Sequence, residues 1–519
     1  MAKIVSAEEA VGLIPDGGVV LVVPTPAEEI YPAFHRVFSR TGSPKDLTLI
    51  WAAGLGPFST ERRGMNHFAY PGMVKRVVAG HIGLNHEMMR MIAQEEVEAY
   101  NLPQGTLCQL YREIAAGRPG LITRVGLGTF VDPRVEGGKL NRRTRLCEDL
   151  VEVVSVAGEE MLRYKPFRPQ VGIIRGTTAD PEGNITIEDE PLCMENFEAA
   201  MAVANSGGIV IAQVERVSDQ PAHPHAVRIP GIFVHYLVVA TSRQAHPHTL
   251  FVEHDPAYTG GTRIDLNLEF QPLPLSAEKV ICRRVALELG DARCINLGVG
   301  IPTSLASVAH EEGILDRLVL NTEIGVLGGL PQNGKNFGPA KNPSAFMSQA
   351  AMFDFYDGGG LDLTCVGLAQ VDQAGNVNVS KIGPKIIGCG GFINITQSTK
   401  AVVFCGEFTA VGNRIAIQDG AVKILAEGKV RKFVNAVEQI TFSGSVARRG
   451  PQKILFVTER CVFKLVPAGL QLTEIAPGVD LERDILAQMG FRPLIAPDLK
   501  TMDARIFQPP LMGCRRPAE

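Results

Sequence analysis

The sequence predicts an α/β fold made of two related open domains in tandem, each with a largely parallel sheet. Strand-like aliphatic runs alternate with helical stretches along the whole chain, the pattern that strand-helix-strand crossovers produce. One such stretch near residue 171 recurs near residue 363. At 519 residues the chain also exceeds what one hydrophobic core supports.

The recurrence is specific. Val171-Gly172-Ile173-Ile174 leads to Asp180-Pro181-Glu182-Gly183-Asn184, and Leu363-Thr364-Cys365-Val366 leads to Asp372-Gln373-Ala374-Gly375-Asn376. Each is an aliphatic strand, then Asp-x-x-Gly-Asn, then a β-branched residue, at an offset of 192 residues (372 − 180). The same offset aligns Gly208-Ile209-Val210-Ile211 with Lys400-Ala401-Val402-Val403. Two segments sharing one offset predict a duplicated domain. Asp, Gly and Asn supply hairpin geometry, so Asp-x-x-Gly-Asn is read as a turn in both copies. Ile14 to Val23 likewise parallels Leu289 to Gly298. The proline-broken segment Phe270-Gln271-Pro272-Leu273-Pro274-Leu275 places the boundary near residue 272, giving domains 1–272 and 273–519.

Composition removes several function classes. Apolar residues at 45% and charged residues at 20% describe an ordinary globular protein. A net charge of -4 gives no basic footprint for nucleic acid or an anionic membrane, and a single Trp argues against base stacking. No signal-peptide apolar region opens the chain, and no uncharged apolar stretch is long enough to span a membrane. The ten cysteines form no C-x-x-C pair, so reduced thiols in a cytoplasmic setting are expected. His223-Pro224-His225 and His246-Pro247-His248 lack a neighbouring Cys or carboxylate cluster and are read as loops. Catalysis without a metal is expected.

The chemistry centres on Asn321-Thr322-Glu323-Ile324-Gly325-Val326-Leu327-Gly328-Gly329, after the apolar run Ile314 to Leu320, which is read as a short buried strand. A carboxylate at a strand's carboxyl end, beside a glycine turn, lies where open α/β folds place ligands. Asn296-Leu297-Gly298-Val299-Gly300-Ile301-Pro302-Thr303 is placed between a strand and a helix starting near Ser304. Its glycines can aim backbone N–H groups at an anionic or carbonyl oxygen, or can serve strand-to-helix packing alone. The third glycine cluster, Gly388-Cys389-Gly390-Gly391, and the amide in Leu102-Pro103-Gln104-Gly105 are each what an oxyanion hole uses, and each is also what a plain turn contains. No Ser-His or Cys-His pair suggests itself. A glutamate, with a reference pKa of about 4.3, is ionised at neutral pH and attacks without a general base.

These residues resemble the class I coenzyme A transferases, in particular the fused single-chain acetate/propionate type, over nearly the whole chain. Gly80-His81-Ile82-Gly83-Leu84, Glu98 to Gly105 and Val125 to Arg134 carry the resemblance in the first half. Gly298 to Pro302, Glu323-Ile324-Gly325, Asp354 to Gly360 and Gly388 to Asn394 carry it in the second. The resemblance implies a ping-pong exchange of CoA between an acyl-CoA and a short-chain carboxylate, with a glutamyl-CoA thioester on Glu323. It implies oxyanion donors at Gln104 and at a backbone N–H of Gly390-Gly391, and a loop Gly298-Val299-Gly300-Ile301-Pro302 facing CoA and the acyl group. It further implies no cofactor beyond CoA as substrate, and a homo-oligomer. Where relatives carry a glycine-containing loop after the first strand, this chain has Pro24-Thr25-Pro26, which bears on the acyl pocket; Ile324 is bulkier than in some relatives. An acyl-CoA hydrolase on the same scaffold, a non-catalytic sensor and a dinucleotide oxidoreductase are the rivals; the incomplete glycine fingerprint disfavours the last.

Overall fold

Aliphatic and β-branched segments closed off by glycine or proline build the strands, and their pairing sorts them into two large sheets. The computed structural model describes residues 2–514. Across the first sheet the order is Lys3–Ile4, Tyr236–Val239, Ile209–Val217, Val171–Ala179, Val19–Val22, Leu47–Trp51, Val74–Ala79 and Glu98–Asn101. All these neighbours run parallel, and Ile185–Thr186 folds back antiparallel on Val171–Ala179. In the second sheet Val319–Thr322, Cys294–Leu297, Leu363–Gly367, Ala401–Cys405 and Lys453–Val457 form the parallel centre. Antiparallel strands flank it on both sides, Val326–Leu327 and Ala345–Phe346 on one, Cys461–Val466 and Gly469–Ile475 on the other.

The duplication holds in register as well as in sequence. Ile209 faces Val171 and Ala401 faces Leu363, so both partners are displaced by the same 192 residues seen in the sequence. Val20 faces Val171 as Ile295 faces Leu363. Both Asp-x-x-Gly-Asn segments are turns, with the glycine N–H donating to the aspartate carbonyl at 2.9 Å in each. One expectation shifts: Leu315–Arg317 is a 3-10 turn, and the strand is Val319–Thr322. Asp316 and Arg317 interrupt the apolar run, and pairing starts only where the Val319 N–H reaches the Arg293 carbonyl at 2.7 Å.

Backbone and apolar side chains tie the halves together. Ile324, Ile386, Cys389 and Ile393 of the second half are buried within the first half's core. The N–H groups of Ile82 and Gly83 donate to the Ile387 carbonyl at 2.9 and 2.8 Å. Asn101, fully buried, donates to the carbonyls of Ala79 and Gly80 at 2.7 and 2.6 Å, while its Oδ1 accepts the Cys389 N–H at 2.8 Å. All ten cysteines are free thiols. Among the described residues no helix is long and apolar enough to cross a membrane.

Two measurements test this packing. Asn101→Ala strands buried backbone groups worth about 1–3 kcal/mol each, so its denaturant midpoint should fall well below wild type. Glu195, ahead of the helix Asn196–Asn205, is buried with neither carboxylate oxygen hydrogen-bonded. Burial raises its pKa to about 8, so the folded chain holds that proton more tightly than the unfolded one. Its contribution is full below the ordinary carboxylate range and is lost as pH rises through about 8. Unfolding free energy followed across that range should decline in wild type, and Glu195→Gln should flatten the decline.

Candidate active site

Glu323 directly follows the strand Val319–Thr322, at its carboxyl end. The chain turns through Glu323-Ile324-Gly325 and returns as Val326–Leu327, with Thr322 opposite Val326. Gly325 makes the turn possible: its φ is +104, and a Cβ there would run into the Met347 carbonyl oxygen. Its N–H donates to the Thr322 carbonyl at 3.1 Å and its own carbonyl accepts the Met347 N–H at 2.8 Å. Register relates the two halves here. Val20 faces Leu49 and Ile295 faces Leu320, so Glu323 stands where the first half has Ala52. One copy of the duplicated scaffold carries the carboxylate, and the other carries a methyl group.

Glu323 opens into a cavity of about 490 Å³ between the halves. Gln104, Gly390, Gly391, Gly298, Val299 and the Pro24-Thr25-Pro26 loop all line it. Gly300, Ile301 and Pro302 lie beyond this wall, where the 3-10 turn Ile301–Ser304 leads into the helix Leu305–Glu311. Gln104 begins the helix Gln104–Ala115 after Pro103. Its N–H donates to the Gly390 carbonyl at 2.9 Å, while its buried side-chain Nε2 has no partner. A buried amide donor left unpaired is costly unless something in the cavity accepts from it.

The two glycines differ in use. The Gly390 N–H is spent on the Gly80 carbonyl at 2.8 Å, which removes it from the set of donors suggested by the sequence. The Gly391 N–H makes no such backbone bond. A Cβ on Gly391 would lie 3.2 Å from Glu323 Cγ and 3.1 Å from Phe353 Cζ. Glycine is therefore what lets this backbone lie against the glutamate.

Burial pushes the Glu323 carboxyl above its ordinary pKa, against the opposing pull of its own backbone N–H. Tyr356 lies close enough to feel its charge, and donates to Asn321 Oδ1. His81, to which sequence alone assigns no role, also lines the cavity. Burial lowers its pKa to about 4, so it is neutral at pH 7. Only its place between Gly80 and the next apolar residues could have flagged it.

The Pro24-Thr25-Pro26 loop is held from behind. Tyr31 Oη donates to the Val23 carbonyl at 3.1 Å, and buried Arg175 donates to the Pro26 carbonyl at 2.7 Å. Arg175 pairs with Glu190 at 2.9 Å, and Glu190 with His246 at 2.9 Å. Burial pushes Glu190 upward, but Arg175 and His246 outweigh it and hold its pKa at about 2.

The two His-Pro-His segments part company. His223 and His225 stack on each other in a loop. His246 joins the Glu190 pair, and His248 lies beside Asp189 and His254, their potential ligand atoms within 4.8 Å of one another. That trio suits a metal poorly. His248 Nδ1 accepts the Asp255 N–H at 3.1 Å, so the ring's proton sits on Nε2, the atom that faces Asp189.

Comparison with known proteins fits this geometry. Residues 4–240 match the family described as Coenzyme A transferase. The caffeate CoA-transferase of Acetobacterium woodii is 47% identical, over 98% of this chain and 98% of its own length. The acetate CoA-transferase YdiF of Escherichia coli K12 is 40% identical, over 98% of this chain and 96% of its own. A crystal structure of the acyl-CoA transferase YdiF from E. coli O157:H7, described as a thioester complex with CoA, superposes with a TM-score of 0.91 at 39% identity, covering 99% of this chain and 97% of that one. The fold is thus that of an enzyme of CoA transfer. The chain belongs to the coenzyme A transferase family, as a single-chain class I member.

Gly391→Ala is the sharpest test of the site's geometry. The added methyl presses on Glu323 Cγ and on the Phe353 ring, so turnover should drop by about tenfold or more, with circular dichroism and the unfolding midpoint close to wild type.

Proposed function

We propose that the chain exchanges CoA between an acyl-CoA and a short-chain carboxylate, with Glu323 as nucleophile and no cofactor beyond CoA as substrate. The observation that carries this reading is the placement of one carboxylate against an unpaired amide. Glu323 is the sole acidic side chain lining the cavity among the described residues, and Gln104 Nε2, in the same cavity, lacks a partner.

The Glu323 carboxylate attacks the acyl carbon of the donor, and the CoA thiolate leaves. The product is a mixed anhydride between acyl group and glutamate. The thiolate then attacks the glutamyl carbonyl carbon and expels the acyl group as a free carboxylate, leaving a glutamyl-CoA thioester. An acceptor carboxylate runs the same two steps in reverse. No proton is gained or lost overall, which suits a site without a paired base. Each tetrahedral intermediate places its oxyanion beside Gln104 Nε2 and the Gly391 N–H. Gly298 and Val299 form the part of the wall suited to the thiol arm. The division at residue 272 assigns the nucleophile to the second domain and Gln104 to the first. Among relatives the named acids range from acetate to caffeate, so names alone leave the acyl group open.

Intact mass of the protein after incubation with acyl-CoA and no acceptor is the direct test. An added CoA that maps to Glu323 and vanishes on adding a carboxylate is expected. Steady release of free CoA without an adduct would instead mark a hydrolase. Glu323→Gln should abolish the adduct and, because burial opposes the charged form, should raise the unfolding midpoint at neutral pH. Gln104→Ala should lower kcat by about 10²–10³-fold. Activity should fall on acidification through the raised pKa of Glu323, earlier than for an exposed carboxylate.

A further inference from the structure

Glycines hold the His81 ring in one orientation. A Cβ on Gly54 would lie 2.5 Å from its Nδ1, one on Gly83 3.3 Å from its Cε1, and one on Gly390 3.4 Å from its Cδ2. Three ring atoms therefore lie against backbone that carries no side chain, and the atom between Cε1 and Cδ2 is Nε2. The backbone is fixed as firmly as the ring. Trp51 Nε1 donates to the His81 carbonyl at 2.9 Å, and the N–H groups of Ile82 and Gly83 both donate to the Ile387 carbonyl.

The two ring nitrogens have opposite surroundings. Nδ1 is buried with no hydrogen-bond partner among the described residues. Nε2 is not shut in that way, for the ring is partly exposed and lines the cavity together with Glu323. Burial lowers the pKa of the ring to about 4, so at neutral pH a single proton sits on one nitrogen. On Nδ1 it would strand a buried donor, and orphaned N–H groups are rarer in proteins than orphaned acceptors. The proton belongs on Nε2, and the neutral imidazole turns an N–H toward the cavity.

The same glycines show what that N–H stands beside. The Gly390 Cβ position next to His81 Cδ2 also lies 3.5 Å from Gln104 Oε1, so imidazole and amide flank one stretch of backbone. The next residue, Gly391, lies against Glu323.

We propose that His81 is a catalytic hydrogen-bond donor, its Nε2–H joining Gln104 Nε2 and the Gly391 N–H on the oxyanion of the tetrahedral intermediates. The proposal rests on the acyl chemistry assigned to Glu323 and adds a residue to it. An imidazolium in this place would grip Glu323 and the acceptor carboxylate before reaction as strongly as the transition state, which gains no rate. A neutral ring holds those carboxylates less strongly and still donates where charge develops on a carbonyl oxygen. It also has no acidic proton to surrender to the departing thiolate.

The proton is located by nitrogen-15 NMR of histidine-labelled protein, with the His81 signals assigned by their loss in His81→Gln. A neutral Nε2–H tautomer that does not titrate between about pH 5 and 8 is expected. An Nδ1–H tautomer, or a ring that protonates in that range, overturns the proposal. The catalytic role is read from the rate of CoA-adduct formation on Glu323 with acetyl-CoA and, in parallel, propionyl-CoA. His81→Phe should form the adduct about 10²-fold more slowly with KM for the donor near wild type, and His81→Gln, which keeps an N–H, should lose less. A folded His81→Phe as fast as wild type, or equal losses in both folded variants, reduces His81 to packing and overturns the proposal alone. No adduct in wild type from either donor removes the reading of Glu323, and this inference with it.

Discussion

The site depends on one backbone docking, that of residues 387–394 against the strand ends and helix start of the first half. Gln104 N–H to Gly390 O, Gly390 N–H to Gly80 O, Cys389 N–H to Asn101 Oδ1 and Gly105 N–H to Asn394 Oδ1 all cross between the halves. Without them the amide of Gln104 belongs to one half and the glutamate to the other. The docking also decides which glycine N–H stays free. Occupying the Gly390 N–H fixes the strand of backbone, and that leaves Gly391 lying against Glu323. An oxyanion hole needs donors that do not reorganise as charge develops, and backbone held by hydrogen bonds on either side meets that need.

Duplication explains how such a site arises in a symmetric scaffold. Both halves present a strand end at the equivalent register position, occupied by Ala52 in one and Glu323 in the other. Beyond that position the halves diverge. After Glu323 the chain makes a tight hairpin whose Ile324 is buried in the first half's core. After Ala52 it runs into Ala53-Gly54-Leu55-Gly56, which lines the same cavity. One half supplies the carboxylate, and the other supplies the wall that faces it.

Much of this is legible in the sequence because its signals are local. The 192-residue offset, the hairpin turns and the strand-turn placement of Glu323 depend on residues close together in the chain. Gln104 and Gly391 also stand out in sequence, but their meeting does not, since it is set by contacts between the halves. The fate of the Gly390 N–H is invisible for the same reason. His81 sits in a glycine motif and His246 in a His-Pro-His segment, but neither pattern assigns a role, and Arg175 and Glu190 stand in none; their significance comes from burial and from partners far away in sequence. The misplaced strand start at Ile314 shows a different limit, for two charged residues inside an apolar run end the pairing that hydrophobicity alone suggests.

Electrostatics bears on the choice between transfer and hydrolysis. In the proposed chemistry both reactions share the acylated glutamate, and hydrolysis additionally requires a base to take a proton from water. Two imidazoles line the cavity, those of His81 and His248, and burial lowers the pKa of each to about 4. An imidazole so reluctant to take a proton is a weak base for activating water. An incoming carboxylate has no proton to lose and meets no such barrier. The burial that disables His81 also raises Glu323, which makes its anion less solvated and more nucleophilic. In the proposed exchange the weak basicity of the lining imidazoles, rather than a dry cleft, favours carboxylate attack over water attack at the same carbon, since Glu323 and His81 both remain partly exposed.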